Sequence, residues 1–200
     1  IPFSGKQVAA IRDALARRVS NIELIRTQIE HSEKTIVRLT AEQFERLDDI
    51  TLNRASIVKG AAGTGKTMLA SELYKRACED AERTLFVCYN RLLGRRLKKD
   101  CMLPTAMTSG KSQVGSLHAI MLTWIEKTDY NKQLKALKAA GVDDSTLFGT
   151  HYPELAAKAA AQLGLQFDYL IVDEAQDIMK PSYIAMFDKV LKGGLRNGRW

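Results

Sequence analysis

Three cysteines, Cys78, Cys88 and Cys101, are too few and too far apart to form a C-x-x-C pair. That spacing excludes a disulfide framework and a cysteine-based zinc site, and points to a reducing compartment. The chain also lacks any run approaching 18 apolar residues and any signal-peptide pattern, so a soluble, cytoplasmic protein with no membrane partner is expected. Internal repeats and low-complexity segments are absent too, which removes solenoid and linker architectures from consideration. What remains is 200 residues with 46% hydrophobic content, enough for one sizeable α/β core with decoration and too little for a second full domain. The first residue is Ile1 rather than Met, so the sequence is expected to begin inside a longer protein.

The formal charge is +7, which is compatible with a polyanionic partner, although its placement says more than its size. Arg91, Arg95, Arg96, Lys98, Lys99 and Lys111 crowd the connection between Asn90 and Ser112, where Asp100 is the single acid. A solvated helix face is the plain reading of such a run, and a nucleic-acid contact the functional one.

The chain is organised around Gly60-Ala-Ala-Gly-Thr-Gly-Lys-Thr67, which follows the short β-branched stretch Ser56–Val58. Small residues through Gly60, Ala61, Ala62, Gly63, Thr64 and Gly65 let successive backbone N–H groups curl round a polyphosphate, and a helix starting at Thr67 aims its positive end at the anion. Lys66 then reaches the β/γ-phosphates, and the Thr67 hydroxyl is a ligand for Mg²⁺. This is a P-loop for a nucleoside triphosphate. Ser109-Gly-Lys-Ser112 has a similar tail but no apolar lead-in and a proline upstream, and reads as a basic loop.

Before the P-loop, residues 1–38 are expected to form an amphipathic helical leader, one helix or two separated near Ser20-Asn21, with Val8, Ile11, Leu15, Val19, Ile22, Ile25 and Ile29 at helical spacing. From 39 to 200 a single nucleotide-binding domain is expected. Thr40 and Gln43 have the form of a capping box at the start of a helix running to Leu52. After the P-loop come helix Thr67–Cys78, strand Thr84–Tyr89, helix Leu92–Lys99, a loop over Pro104–Ser112, strand Gln113–Ser116 and helix Leu117–Ile125. Helices Lys132–Ala140 and Pro153–Leu163 follow, stopped by Gly141 and Gly164. Strand Phe167–Val172 delivers Asp173-Glu-Ala-Gln-Asp177, followed by helix Ser182–Lys192 and the beginning of a strand over Leu195–Trp200. Asp173 is the expected second Mg²⁺ ligand, and Glu174, with Lys66, the expected catalytic group, orienting or deprotonating the attacking water. Alternating strands and helices with both phosphate motifs at strand C-termini give an α/β, doubly wound parallel sheet.

The Asp173-Glu-Ala-Gln-Asp177 sequence, in order after the P-loop, resembles motif II of superfamily 1 helicases of the UvrD/Rep type, and the resemblance covers roughly Leu39 to Trp200. It implies a RecA-like motor domain using ATP and Mg²⁺, with Gln176 among the nucleotide contacts. Leu39-Thr-Ala-Glu-Gln43 resembles the adenine-reading Q-motif, which makes Gln43 an adenine contact. Thr84-Leu-Phe-Val-Cys-Tyr-Asn-Arg91 resembles motif Ia, and Val114-Gly-Ser-Leu-His118 the "T-x-H" motif with Ser116 in place of Thr. The resemblance makes Asn90, Arg91, Arg95, Arg96, Ser116 and His118 candidates for single-stranded nucleic acid, DNA before RNA. Tyr89, Trp124, Tyr130 and Tyr152 are candidates for base stacking, with core or rim as the plainer reading.

The resemblance also implies a second RecA-like domain with phosphate-sensing arginines beyond Trp200, so the 200 residues alone are expected to be nearly inactive. The short interval between His118 and Asp173 leaves little room for a large accessory subdomain and is similar to compact helicases attached to nuclease-related domains. A nucleotide-switched binding module without translocation is the alternative from another class. A P-loop kinase is disfavoured, since the Asp-Glu pair reads as water activation.

Overall fold

A row of five fully buried residues, Thr84-Leu-Phe-Val-Cys88, forms the central strand β1. A strand that is apolar on both faces needs cover on both, and this one has it. The computed structural model describes residues 41–61, 63–101 and 112–200, the side chains of 41–46 excepted. The expected helical leader, Thr40, Ala62, Lys111 and nearly all of the expected loop over Pro104–Ser112 therefore lie outside the described residues. Glu42–Trp200 forms one compact unit.

β1 is flanked by β2 (Gln113–Ser116) and β3 (Tyr169–Asp173) in a parallel sheet of order β2-β1-β3. Cys88 pairs in register with Ser116 on one side and with Asp173 on the other. Because the strands are parallel, all three C-termini open on one edge, which is where open α/β sheets place their ligands.

Alternation along β1 sends Leu85 and Val87 to one face, where they join a core built from helices α4 (Leu117–Glu126), α6 (Tyr152–Gln162) and α7 (Pro181–Val190). At its heart Trp124 stacks on Phe167, with ring centroids 6.0 Å apart, and its indole N–H donates to Gln113 Oε1 at 2.9 Å. Phe86 turns to the opposite face and meets Tyr74 of α2 (Lys66–Glu79), with ring centroids 5.7 Å apart. Burying one such ring contributes about 1.5–3 kcal/mol. The remaining longer elements are helices α1 (Ala41–Leu52), α3 (Arg91–Asp100) and α5 (Tyr130–Ala139), with short helical turns over Asp144–Thr146, Ala175–Asp177 and α8 (Gly194–Asn197).

The expected α/β doubly wound architecture is therefore the observed one, with differences at particular boundaries. No strand forms over Ser56–Val58. Its backbone instead shares only two ladder bonds, Ser56 N–H to the Trp200 carbonyl at 3.0 Å and Trp200 N–H to the Arg54 carbonyl at 2.9 Å. Arg199 in turn bridges to Tyr169, so Arg199 and Trp200 lie between the P-loop lead-in and β3. The expected strand over Leu195–Trp200 is consequently a helical turn, α8, followed by this two-residue pairing. Helix α7 stops at Val190, short of the expected Lys192, because Leu191 turns extended (φ −87°, ψ 131°) and bridges to Phe167. The Gly141 and Gly164 stops hold, at φ 73° and 62°. A five-residue π-helical turn over Leu147–His151 has no counterpart among the sequence expectations.

Candidate nucleotide and nucleic-acid site

The loop from Gly60 to Thr67 needs its glycines for definite reasons. Gly63 and Gly65 take φ of 81° and 85°, the left-handed region that an L side chain enters only at a cost. At Gly60 a Cβ would sit 2.8 Å from Thr64 Oγ1, whose hydroxyl donates to the Ala61 carbonyl at 2.9 Å. Gly65 hands the chain to α2, leaving the first N–H groups of that helix without a side-chain cap. Such a helix start is a ready anion site. The Lys66 ammonium folds over the loop and donates to the Gly60 and Ala61 carbonyls at 2.9 and 2.8 Å.

Across from the loop, at the end of β3, Asp173 is 95% buried, 5% of its surface remaining exposed. The Thr67 hydroxyl donates to Asp173 Oδ2 at 2.7 Å, and the Glu174 N–H donates to Oδ1 at 3.0 Å. Among the described residues no cation pairs with it, and a carboxylate this deep is costly unless a positive charge joins it. Together with the hydroxyl it makes a two-oxygen donor set of the hard kind that Mg²⁺ prefers, the remaining positions being left to phosphate and water oxygens. Among the described residues no group of three or more His, Cys, Asp or Glu could hold a metal by itself.

Glu174 has left-handed backbone (φ 52°, ψ 48°), a conformation that costs a non-glycine residue on the order of 1–3 kcal/mol and recurs at functional sites. Its Oε2 accepts from the Gln176 amide at 2.5 Å. Cys88, in register with Asp173, is kept a neutral thiol: burial first and the Asp173 charge second push it up to about 11.

The nucleic-acid candidates divide. Asn90 caps α3, its Oδ1 accepting from Leu92 N–H and Leu93 N–H at 2.8 and 3.1 Å. Arg91, Arg95 and Arg96 are exposed on that helix, and Arg96 pairs with Asp100 at 3.3 Å. Ser116 is buried, with Gly94 of α3 so close that a Cβ there would lie 2.3 Å from Ser116 N. His118, half-buried, bonds through Nε2 to the Tyr183 hydroxyl at 2.9 Å, and burial, then the Lys180 charge, lower its pKa below the ordinary histidine value. Of the aromatic candidates, Trp124 and Tyr152 are core and Tyr130 is half-buried, while Tyr89 is 46% exposed. Phe148, 37% exposed on the π-helical turn, was missed because nothing in its sequence marks it. Gln43 lies on α1, where its side chain is among those not described.

Fold and loop together define an α/β protein of the RecA-like, P-loop class. Within that class, residues 21–192 match the family described as "Type III restriction enzyme, res subunit", and the chain belongs to that family. No curated protein and no solved structure matches the chain. Membership brings a helicase-like, ATP-binding motor domain. It does not extend to the UvrD/Rep type in particular.

Proposed function

We propose that residues 39–200 are the first motor domain of a superfamily 1 helicase, with 1–38 an appended leader, and that it couples MgATP hydrolysis to movement along single-stranded nucleic acid. The observation that carries this reading is the Thr67–Asp173 hydrogen bond of 2.7 Å, which joins two halves of the phosphate motif that lie 106 residues apart.

In this reading Thr67 and Asp173 would hold Mg²⁺, which would supply positive charge against the nucleotide phosphates. Lys66 swings from its two loop carbonyls to the phosphate oxygens, exchanging neutral acceptors for charged ones and so gaining stronger bonds. Glu174 accepts a proton from the attacking water. Gln176, bonded to it at 2.5 Å, fixes where that carboxylate points. Gln43 contacts adenine.

Calorimetric titration with ATP in the presence and absence of Mg²⁺ tests the site directly. Wild type should bind more tightly with the metal, and Asp173→Ala should lose that increment while keeping metal-free binding. Equal metal dependence in the two proteins would contradict the assignment of Asp173.

A further inference from the structure

We propose that the exposed rings of Tyr89 and Phe148, each set edge-on to His118, form a stacking seat for unpaired bases of a single nucleic-acid strand. The inference rests on the nucleic-acid reading above and adds a mode of contact and a residue, Phe148, that lies in none of the motifs.

The rings are partly exposed and held in place. Tyr89 and Phe148 lie 5.4 and 5.3 Å from the His118 ring, at 73° and 86° to it. Large apolar rings exposed to this degree beside buried neighbours lose little by accepting a flat partner, since stacking removes their remaining surface from water. Phe148 is braced from behind by the buried Tyr152, with centroids 4.8 Å apart. Its carbonyl accepts the Tyr183 hydroxyl proton at 2.8 Å, and the next carbonyl, Gly149 O, accepts from Ser182 Oγ. The π-helical turn is thus pinned to α7 at two successive carbonyls.

The same bonds settle the histidine. Tyr183 has one hydroxyl proton and gives it to Phe148 O, so at the 2.9 Å contact His118 Nε2 donates and the neutral ring leaves Nδ1 as an acceptor. Burial and Lys180 favour that neutral form. The seat is therefore uncharged and selects a π-face.

Charge complementarity names the occupant. Tyr89 is followed at once by Asn90 and the exposed cations of α3, of which Arg91, Arg95, Lys98 and Lys99 make no ion pair among the described residues. A neutral aromatic seat beside a cationic track is the pattern that binds a strand by stacking bases and following phosphates.

The test is fluorescence anisotropy of the 200-residue chain with a short labelled thymidine oligonucleotide and its abasic counterpart of equal length. Wild type should prefer the base-bearing strand by about tenfold or more, with parallel salt slopes, because both strands carry the same phosphates. Tyr89→Ala and Phe148→Leu should each erode that preference while leaving abasic affinity and MgATP binding unchanged, and Tyr89→Phe should restore it. Equal affinity of wild type for the two strands would overturn the seat and leave the nucleic-acid reading standing. Binding of neither strand at low salt would overturn both. Ring variants that lose abasic and base-bearing affinity alike would show a general disturbance of the surface, and would also overturn the seat.

Discussion

The Lys66 ammonium rests on two carbonyls of its own loop, 2.9 and 2.8 Å away, and touches none of the core. Lys66→Ala should accordingly leave the thermal midpoint near wild type and lower ATP affinity by more than about tenfold, since a hydrogen bond to a charged group is worth about 1.5–3 kcal/mol. Unchanged affinity in calorimetry would remove Lys66 from the site. Glu174→Gln retains size and the amide-to-oxygen bond to Gln176 but cannot take a proton. MgATP binding should persist while phosphate release by a turnover-competent form of the protein falls about 10²–10⁴-fold. His118 makes a third case, set by its environment: Tyr183, Tyr89 and Phe148 surround it and Lys180 lies close. Its folded-state pKa is lowered, so the unfolded chain takes up the proton first as pH falls. The stability due to the neutral ring is whole above the unfolded value of about 6.5 and is lost as pH falls through the lower folded value. Melting curves on either side of that window should show a steeper acid decline for wild type than for His118→Gln.

Helix α3 illustrates how one element serves packing and charge at once. Gly94 lets its backbone lie directly on β2, and Gly94→Ala places a methyl 2.3 Å from Ser116 N, where no flexible side chain can yield. Overpacking of that kind costs about 1–3 kcal/mol, which in a domain of this size lowers the melting temperature by several degrees, roughly 2–4 °C per kcal/mol. On the outer side, replacing Arg91, Arg95 and Arg96 by Ala should weaken strand binding for every sequence and flatten its log–log salt slope by about 0.7 per lost phosphate contact. An unaltered slope would return the helix to ordinary solvated surface. These elements were largely legible in advance, since the β1 run, the P-loop glycines and the strand ending in Asp173 each carry a local cause for their conformation. Other features had no local signal. The Ser56–Val58 stretch reads as a strand, yet its pairing depends on Trp200, remote in sequence. Phe148 reads as one more apolar residue, because a π-helical turn has no periodicity of its own. Gly94 has no mark in the sequence of its basic helix, because the neighbour that requires it is supplied by β2.

Across the molecule, the parallel sheet separates two ends with different work. The C-terminal ends of the strands gather Asp173, Glu174, Tyr89 and His118 on one edge. Arg199 lies at the other, its guanidinium 2.6 Å from Glu82 Oε1 and over the Tyr169 ring at 4.3 Å. The strand from Tyr169 to Asp173 at about 3.3 Å per residue puts roughly 13 Å between them, so Arg199 does not reach the phosphates. An arginine that completes such a site is worth about 10³–10⁵ in rate. Residues 1–200 alone should therefore bind MgATP and release almost no phosphate, with or without strands. Rapid turnover that rose with protein concentration would instead indicate an arginine donated by a second copy.

The wedge of Arg199 and Trp200 between Arg54 and Tyr169 also dictates an order of events as the chain leaves the ribosome. The P-loop is synthesised early, but the backbone that fastens its lead-in to the sheet emerges only after every phosphate-binding residue, and the contact closes a loop spanning most of the domain. Contacts so distant in sequence form late and slowly. A nascent chain that had not yet exposed Arg199 and Trp200 would carry every phosphate-binding residue and still leave the Ser56 backbone without its partner, so full competence to hold nucleotide should arrive with those two residues rather than grow as the motifs appear.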